Sequence, residues 1–411
     1  MSRRKRRVLL VHYTAPSILG GVERIMAVHA RALRDAGDDV AIVAGRGSAR
    51  PIKMIRVPEL DSRHPAVLRS FSALARGEVP AEHERLVARI ERVLRPLVAG
   101  ADRVIVHNAF TLHKNAALTD ALARLARATP DRFIAWTHDL AWTDAQYAGQ
   151  LHDGPPWSLF RTALRGVRYV AVSEKARDEL VRLTGIAADK VRVVPNGVDP
   201  AGLLGLSKPG VALAERLGLF TADPFLLLPV RMTRRKRIDV AIDALRRLRA
   251  TYPNAMLVVT GGPGAHNPAN NVYARELAAG AGAGVHLLHD LGIRVSDRVL
   301  SDLYALADAL VLPSANEGFG IPALEAGWHR LPIVCSDIPA LRAVAGEDAT
   351  YVAVDADGAT LARAIAERLE SDPIARLHRR SREHAWPRVL AEHVLPAIHG
   401  YLGIAGLVRW E

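Results

Sequence analysis

Short apolar runs rich in Val, Ile and Leu alternate along this chain with longer stretches in which apolar residues recur every three or four positions. The runs read as buried strands and the stretches as amphipathic helices. Residues 7–13 form the first run, and a helix is expected over 22–36, with Ile25, Val28, Ala32 and Leu33 on one face. Gly37 stops that helix and 39–44 is the second strand. This is a βαβ opening, the start of a parallel sheet. Further strands are predicted at 54–57, 103–107, 132–137 and 167–172, with amphipathic stretches at 81–97 and 114–128. The run 191–199 leads into a Gly-, Pro- and Leu-rich segment, 200–224, that carries no strong strand. A second series follows, with strands at 224–230, 256–260, 285–289, 309–312, 332–335 and 350–354 and a helix at 238–250. Two successive series of similar size predict an α/β protein of two doubly wound Rossmann-like domains with a boundary near residue 200. The stretch 385–402 reads as one long helix.

Ligands of open α/β sheets bind at the carboxyl ends of the strands, so polar residues there are the first site candidates. They are His107-Asn108, His138-Asp139 and Ser173-Glu174. For His107 and Asn108 a helix cap or a loop turn explains the residues equally well. The first strand runs toward Gly20-Gly21-Val22-Glu23, which is not Gly-x-Gly-x-x-Gly and so gives a dinucleotide site little support. In the second series, Arg231 and Lys236 lie five residues apart just past a strand end. They are either anion ligands or part of a solvated basic run.

The most informative stretch is 311–326, Val-Leu-Pro-Ser-Ala-Asn-Glu-Gly-Phe-Gly-Ile-Pro-Ala-Leu-Glu-Ala. A strand, a glycine loop and a helix with Pro322 in its first turn present free backbone N–H groups to an anion. The amides of Gly318, Phe319 and Gly320 suit phosphate or sugar oxygens. The carboxylates of Glu317 and Glu325 suit sugar or ribose hydroxyls. A Gly loop of this kind is also common in α/β proteins, where an acid merely offsets the helix dipole.

Composition narrows the classes. With 411 residues, 49% hydrophobic and 24% charged, the chain suits packed domains and not wholesale disorder. The single cysteine, Cys335, excludes a disulfide framework and favours a reducing, cytoplasmic compartment. No apolar run is long enough for a membrane span. The net charge is +12, but the basic residues are spread along the chain, and aromatics are only 5%. No nucleic-acid motif accompanies the charge, so nucleic acid is not an expected partner. The Arg-rich start, residues 2–7, is a candidate for peripheral contact with an anionic membrane surface. No set of His, Cys and Asp has metal spacing, so no metal is expected.

The motif Ser-x-x-Glu-Gly-Phe-Gly-Ile-Pro-x-Leu-Glu-Ala resembles the donor-site signature of retaining family-4 glycosyltransferases, which have the GT-B fold. The rest of the chain fits that resemblance. It implies that Gly20 and Gly21 approach the donor diphosphate, and that Thr137-His138-Asp139 is the histidine motif of the first domain. It implies that Arg231 and Lys236 contact the diphosphate, although Arg237 replaces the family's following glycine and makes the loop bulkier and more basic. It further implies Glu317 on sugar hydroxyls, Glu325 on the ribose and His138 on the donor sugar. The domains are then 1–199 on the acceptor side, 200–384 for the nucleotide-sugar, and 385–411 as a helix returning to the first domain, with the two domains facing across a cleft.

The activity so implied is transfer of a hexose from a nucleoside diphosphate-sugar to a hydroxyl acceptor by front-face attack, with no cofactor. The glycine-rich loop 261–271 is longer than the family's and leaves the base open. A sugar-nucleotide epimerase or hydrolase, a nicotinamide dehydrogenase and a non-catalytic nucleotide-binding protein are the rivals. The site residues are expected to line a wet cleft, so their removal should spare the fold.

Overall fold

The computed structural model describes residues 5–264 and 267–400. The chain divides into two units, residues 1–196 with 389–411, and residues 197–388. Each holds its own parallel sheet and its own apolar core.

In the first unit the strands are β1 Arg7–Val11, β2 Asp39–Ala44, β3 Lys53–Arg56, β4 Arg103–His107, β5 Phe133–Thr137, β6 Val167–Ala171 and β7 Val191–Val193. Their order is β3-β2-β1-β4-β5-β6-β7, with every pair parallel. Helices on both faces bury the sheet, which is why β1, β2, β4 and β5 are continuous apolar runs and not alternating ones. Helix Ala81–Ala99 points His83, Leu86, Val87, Ile90 and Leu94 inward, the helical repeat of a single buried stripe.

The second unit contains β8 Phe225–Leu228, β9 Met256–Val259, β10 Val285–Leu287, β11 Ala309–Leu312, β12 Ile333–Ser336 and β13 Thr350–Val352. The order β10-β9-β8-β11-β12-β13 repeats the doubly wound pattern. In each sheet the direction of winding reverses once, between β1 and β4 and between β8 and β11. A doubly wound sheet opens its binding crevice at that reversal, because the flanking loops diverge there.

The segment 200–224 carries no strand, as expected, and holds the helix Lys208–Leu217, capped by Ser207 and ended by Gly218 in the left-handed region. Ser173 caps the helix Glu174–Thr184 by accepting from the Ala176 N–H, and Glu174 pairs with Arg177, so both polar side chains of this strand end are engaged in starting a helix. The expected long C-terminal helix is instead three pieces. Trp386–Val389 and Leu395–His399 flank a π-helical turn, Leu390–Val394, and Gly400 stops the run in the left-handed region. Pro396 has no N–H to donate back along the helix, which accounts for the break in the regular ladder. Residues 401–411 of that expected helix, and residues 2–4 of the basic start, lie outside the described residues. Of that start, Arg7 is already committed to β1, with its N–H on the Asp102 carboxylate and its guanidinium near Asp39.

Candidate functional site

At the winding reversal of the second unit, the loop after β8 meets the loop after β11. Ala315 N–H donates to the Arg235 carbonyl (2.7 Å), and the Arg235 guanidinium donates to the Asn316 carbonyl (2.7 Å). This stitching brings Lys236 to Glu317. Lys236 Nζ donates to Glu317 Oε1, which also accepts from Ser314 Oγ at 2.7 Å. Glu317 Oε2 lies 3.8 Å from Arg235. Both side chains are nearly withdrawn from solvent, at 10% and 8% exposure, so this is a largely desolvated ion pair and not a surface one. Burial lowers the Lys236 pKa, opposed by Glu317 and reinforced by the neighbouring cations Arg235 and Arg231. The Arg231 side chain is exposed and makes no hydrogen bond or ion pair among the described residues.

Arg237, which replaces a glycine of the family pattern, sits at φ 50°, the left-handed region that glycine would occupy without cost. Its guanidinium reaches the carbonyls of Val354 and Ala356, so the extra charge is tied into the strand-end loops of its own unit instead of adding to the anion loop. The expected bulkier, more basic loop is corrected accordingly.

Beyond Glu317 the backbone N–H groups of Gly318, Phe319 and Gly320 donate to nothing among the described residues. Gly320 turns the chain at φ 99°, and a Cβ there would stand 3.0 Å from Leu341 Cδ2. The turn delivers the helix Ile321–Trp328 with Pro322 in its first turn. Glu325, on that helix, accepts from the Tyr304 hydroxyl at 2.6 Å through one oxygen, and His329 stacks on the Tyr304 ring. Burial and the Glu325 carboxylate push the Tyr304 phenol well up, so it stays a donor. The site thus has unpaired amides, an exposed cation, and a carboxylate that shares an ammonium. Such a set can bind an anion and a hydroxyl side by side.

The first unit holds its candidates at the reversal between β1 and β4. Gly20 precedes the helix Gly21–Asp35, whose Glu23 folds back so closely that a Cβ on Gly20 would lie 2.1 Å from its carboxylate. Glu23 accepts from Thr14 Oγ1 and lies 3.8 Å from His12 Nε2. Gly21 faces open space, with no atom within 4 Å of the point where a Cβ would stand. His138, partly exposed at the end of β5, places Nε2 3.1 Å from Nδ1 of the fully buried His107. His12 Nδ1 lies 3.0 Å from the His107 carbonyl, and His29 packs against His107 and Trp136. Burial holds all four histidines neutral, with the pKa of His29 and of His138 lowered to about 3. Asn108 is neither a helix cap nor a simple turn. Its Oδ1 accepts from the N–H groups of His138 and Asp139, and its Nδ2 donates to Asp139.

Each candidate therefore has a definite place. Lys236 and Glu317 meet, with the amides of Gly318, Phe319 and Gly320 and helix residue Glu325 following them, and Arg231 precedes them on the loop after β8. Gly20, Gly21 and His138 belong to the other unit. Sequence reasoning gave no role to His12, His29, Ser314 or Tyr304. Ser314 opens the Ser-x-x-Glu-Gly-Phe-Gly motif, and the polar His12 directly after an apolar strand was the other available signal. Of the loop 261–271, Gly262 accepts from Met232 N–H, which lays it beside the Arg231–Lys236 loop, whereas Ala265 and His266 lie outside the described residues. Among the described residues no group of three or more His, Cys, Asp or Glu is arranged to hold a metal, and no helix is long and apolar enough to cross a membrane.

Two family models match the chain. "Glycosyltransferase Family 4" covers residues 19–201 and "Glycosyl transferases group 1" covers residues 212–385. Among curated relatives, the D-inositol 3-phosphate glycosyltransferase of Xylanimonas cellulosilytica is 36% identical over 202 residues, 45% of this chain and 44% of that protein. The protein of the same name from Stackebrandtia nassauensis is 28% identical over 337 residues, 78% of this chain and 72% of its own length. That from Kribbella flavida is 27% identical over 356 residues, covering 82% and 80%. The aligned region thus spans less than half of the first of these relatives and the greater part of the other two.

Proposed function

This chain belongs to the family-4 glycosyltransferases, and from that premise we propose that it transfers a hexose from a nucleoside diphosphate-sugar to a hydroxyl acceptor with retained anomeric configuration. The observation that carries the reading is the Lys236–Glu317 pair at the winding reversal, flanked by Arg231 and by three unpaired amides. A diphosphate competes with Glu317 for the Lys236 ammonium. As Lys236 turns to the phosphates, Glu317 is released to accept hydrogen bonds from the sugar hydroxyls. Arg231, Lys236 and the amides of Gly318, Phe319 and Gly320 then stabilise the charge that grows on the leaving diphosphate. Donors and cations fixed in advance usually supply more of an enzyme's rate enhancement than any other single effect. Glu325 keeps one oxygen for the ribose while Tyr304 orients the other. His138 touches the donor sugar, and Gly20 and Gly21 leave room for the diphosphate. The acceptor attacks the face from which the diphosphate departs, and the departing phosphate takes its proton. No cofactor or metal takes part.

The test is a panel of nucleotide-sugars with candidate acceptors, scored for diphosphate release and for the anomeric configuration of the product. Polyol phosphates come first among acceptors, given the name of the relatives. Arg231→Ala should lower kcat by a barrier increase of about 3–4 kcal/mol, the cost of removing an oxyanion-type donor, and leave the melting temperature unchanged. Wild-type turnover in that variant, or sugar found only free in water, would contradict the proposal.

A further inference from the structure

We propose that His107 is a positioning residue that holds His138 in its Nδ1–H tautomer, so that the ring offers a hydrogen-bond donor on its open side. This rests on the reading in which His138 touches the donor sugar.

The two rings share one hydrogen bond, His107 Nδ1 to His138 Nε2, at 3.1 Å, with ring centroids 5.4 Å apart. Both rings are neutral, since burial opposes protonation of each. One facing nitrogen therefore carries a hydrogen and the other a lone pair. If His138 donated from Nε2, the hydrogen of His107 would sit on its own Nε2. That atom is buried and has no hydrogen-bond partner among the described residues. A buried N–H with no acceptor is the costlier kind of orphan, rarer in proteins than an unused lone pair. The hydrogen of His107 therefore lies on Nδ1 and points at His138 Nε2. The hydrogen of His138 is left on Nδ1, and the ring makes no other hydrogen bond among the described residues.

The surroundings make the choice firm. His107 is 0% exposed, with Trp136 and His29 packed beside it and His12 bonded to its carbonyl, so its ring is held in place. The backbone of His138 is pinned by Asn108, whose carboxamide oxygen takes the N–H of both His138 (2.8 Å) and Asp139 (3.1 Å). Asn108 holds φ 59° to do so, a conformation that asparagine tolerates better than most residues. The ligand this geometry fits is an oxygen lone pair, that of a sugar hydroxyl, recognised by a neutral donor. A charged imidazolium would instead draw phosphate.

Nitrogen-15 NMR of the whole chain with labelled histidine tests this directly. At neutral pH, His138 should show a protonated Nδ1 and a bare Nε2, and the reverse pattern overturns the proposal. His107→Phe keeps an aromatic ring but removes the hydrogen bond. It should let His138 take the other tautomer and lower turnover about tenfold, the worth of one hydrogen bond. An unchanged His138 tautomer in that variant also overturns the proposal. His107→Asn, whose amide donates from near the Nδ1 position, should restore both the tautomer and most of the turnover. If His107→Phe does not fold, the wild-type spectrum and the Asn variant still decide. Full turnover in His138→Ala would remove the sugar-contact reading alone, because the tautomer measurement does not depend on it.

Discussion

Glu317 Oε1 serves Lys236 and Ser314 at once, and that sharing changes what its removal does. A site in a wet cleft would lose turnover without losing stability. Here both partners are nearly buried, so truncating one leaves the other charge desolvated and unpaired. Lys236→Met and Glu317→Gln should each lower the melting temperature as well as turnover, while the double variant should melt higher than the sum of the single losses predicts. Thermal melts of the four proteins measure this coupling, and strict additivity would show the pair to be energetically idle. Glu317→Ala should also reduce turnover about tenfold to a hundredfold, from roughly 1.5–3 kcal/mol for a charged hydrogen bond. The buried histidines set a second expectation. His29 and His138 have folded pKa values of about 3 against 6.5 for the free ring. Between those values the unfolded chain binds more protons than the folded one, so stability is complete above pH 6.5 and falls as the pH drops below it. Unfolding by denaturant at pH 7.5 and pH 5 should show the loss, and His29→Gln should flatten it. Glu317, Lys236, Arg231 and His138 were legible because motif spacing at strand ends marks them. His12 and His29 were not, because nothing local distinguishes a buried histidine from a surface one. Only the pairing of β1 with β4 brings His12 to His107.

Strands were the most legible elements, since a fully buried parallel strand is an unbroken apolar run whatever its neighbours do. Helix ends and breaks were less so. The π-helical turn at Leu390–Val394 depends on where Pro396 falls relative to the packing, and periodicity alone runs straight through it. Helix Pro373–Glu383 shows how an element is fixed by a residue that no pattern marks. Arg382 reaches inward to the carbonyls of Ala222 and Leu306 and to the buried Asp308 (2.6 Å), which also accepts from Phe225 N–H. His378 of the same helix lies 3.3 Å from Asp308. One arginine thus joins this helix to the starts of β8 and β11, the two strands that carry the loops of Lys236 and Glu317. Arg382→Ala should destabilise by about 3–5 kcal/mol, the cost of stranding a buried charge, and should broaden the amide signals of Lys236 and Glu317 in NMR. Normal stability in that variant would mean that the Asp308 carboxylate finds another partner.

At the scale of the molecule, the two parallel sheets with matching strand orders explain why one alternating pattern, read twice, sufficed to foresee two doubly wound units. The relation between charge and partners is less direct. The surplus of +12 falls almost wholly on the first unit, while the second is close to neutral, and many arginines are already paired, as with Arg124 to Glu84 and Asp120, Arg342 to Asp337, and Arg379 to Asp223. The proposed catalysis by fixed cations and amides leads to a further expectation. Transfer should persist in excess chelator, and loss of activity restored by a divalent ion would refute that.

The division of the chain has its own consequence. The first unit is made of two separated pieces, since residues from 389 onward belong with residues 1–196, while the second unit lies wholly between them. His399 bonds to Asp38, and the Ile398 carbonyl accepts from Arg103. On a ribosome, those partners of Asp38 and Arg103 emerge only after all of the intervening unit has been made. The seven-stranded sheet must therefore wait, assembled but unclasped, while the six-stranded unit folds within the gap. A chain that stops before residue 389, once released from the ribosome, should expose its first unit to protease while its second is resistant. The clasp that completes the first unit is written only after the whole of the second.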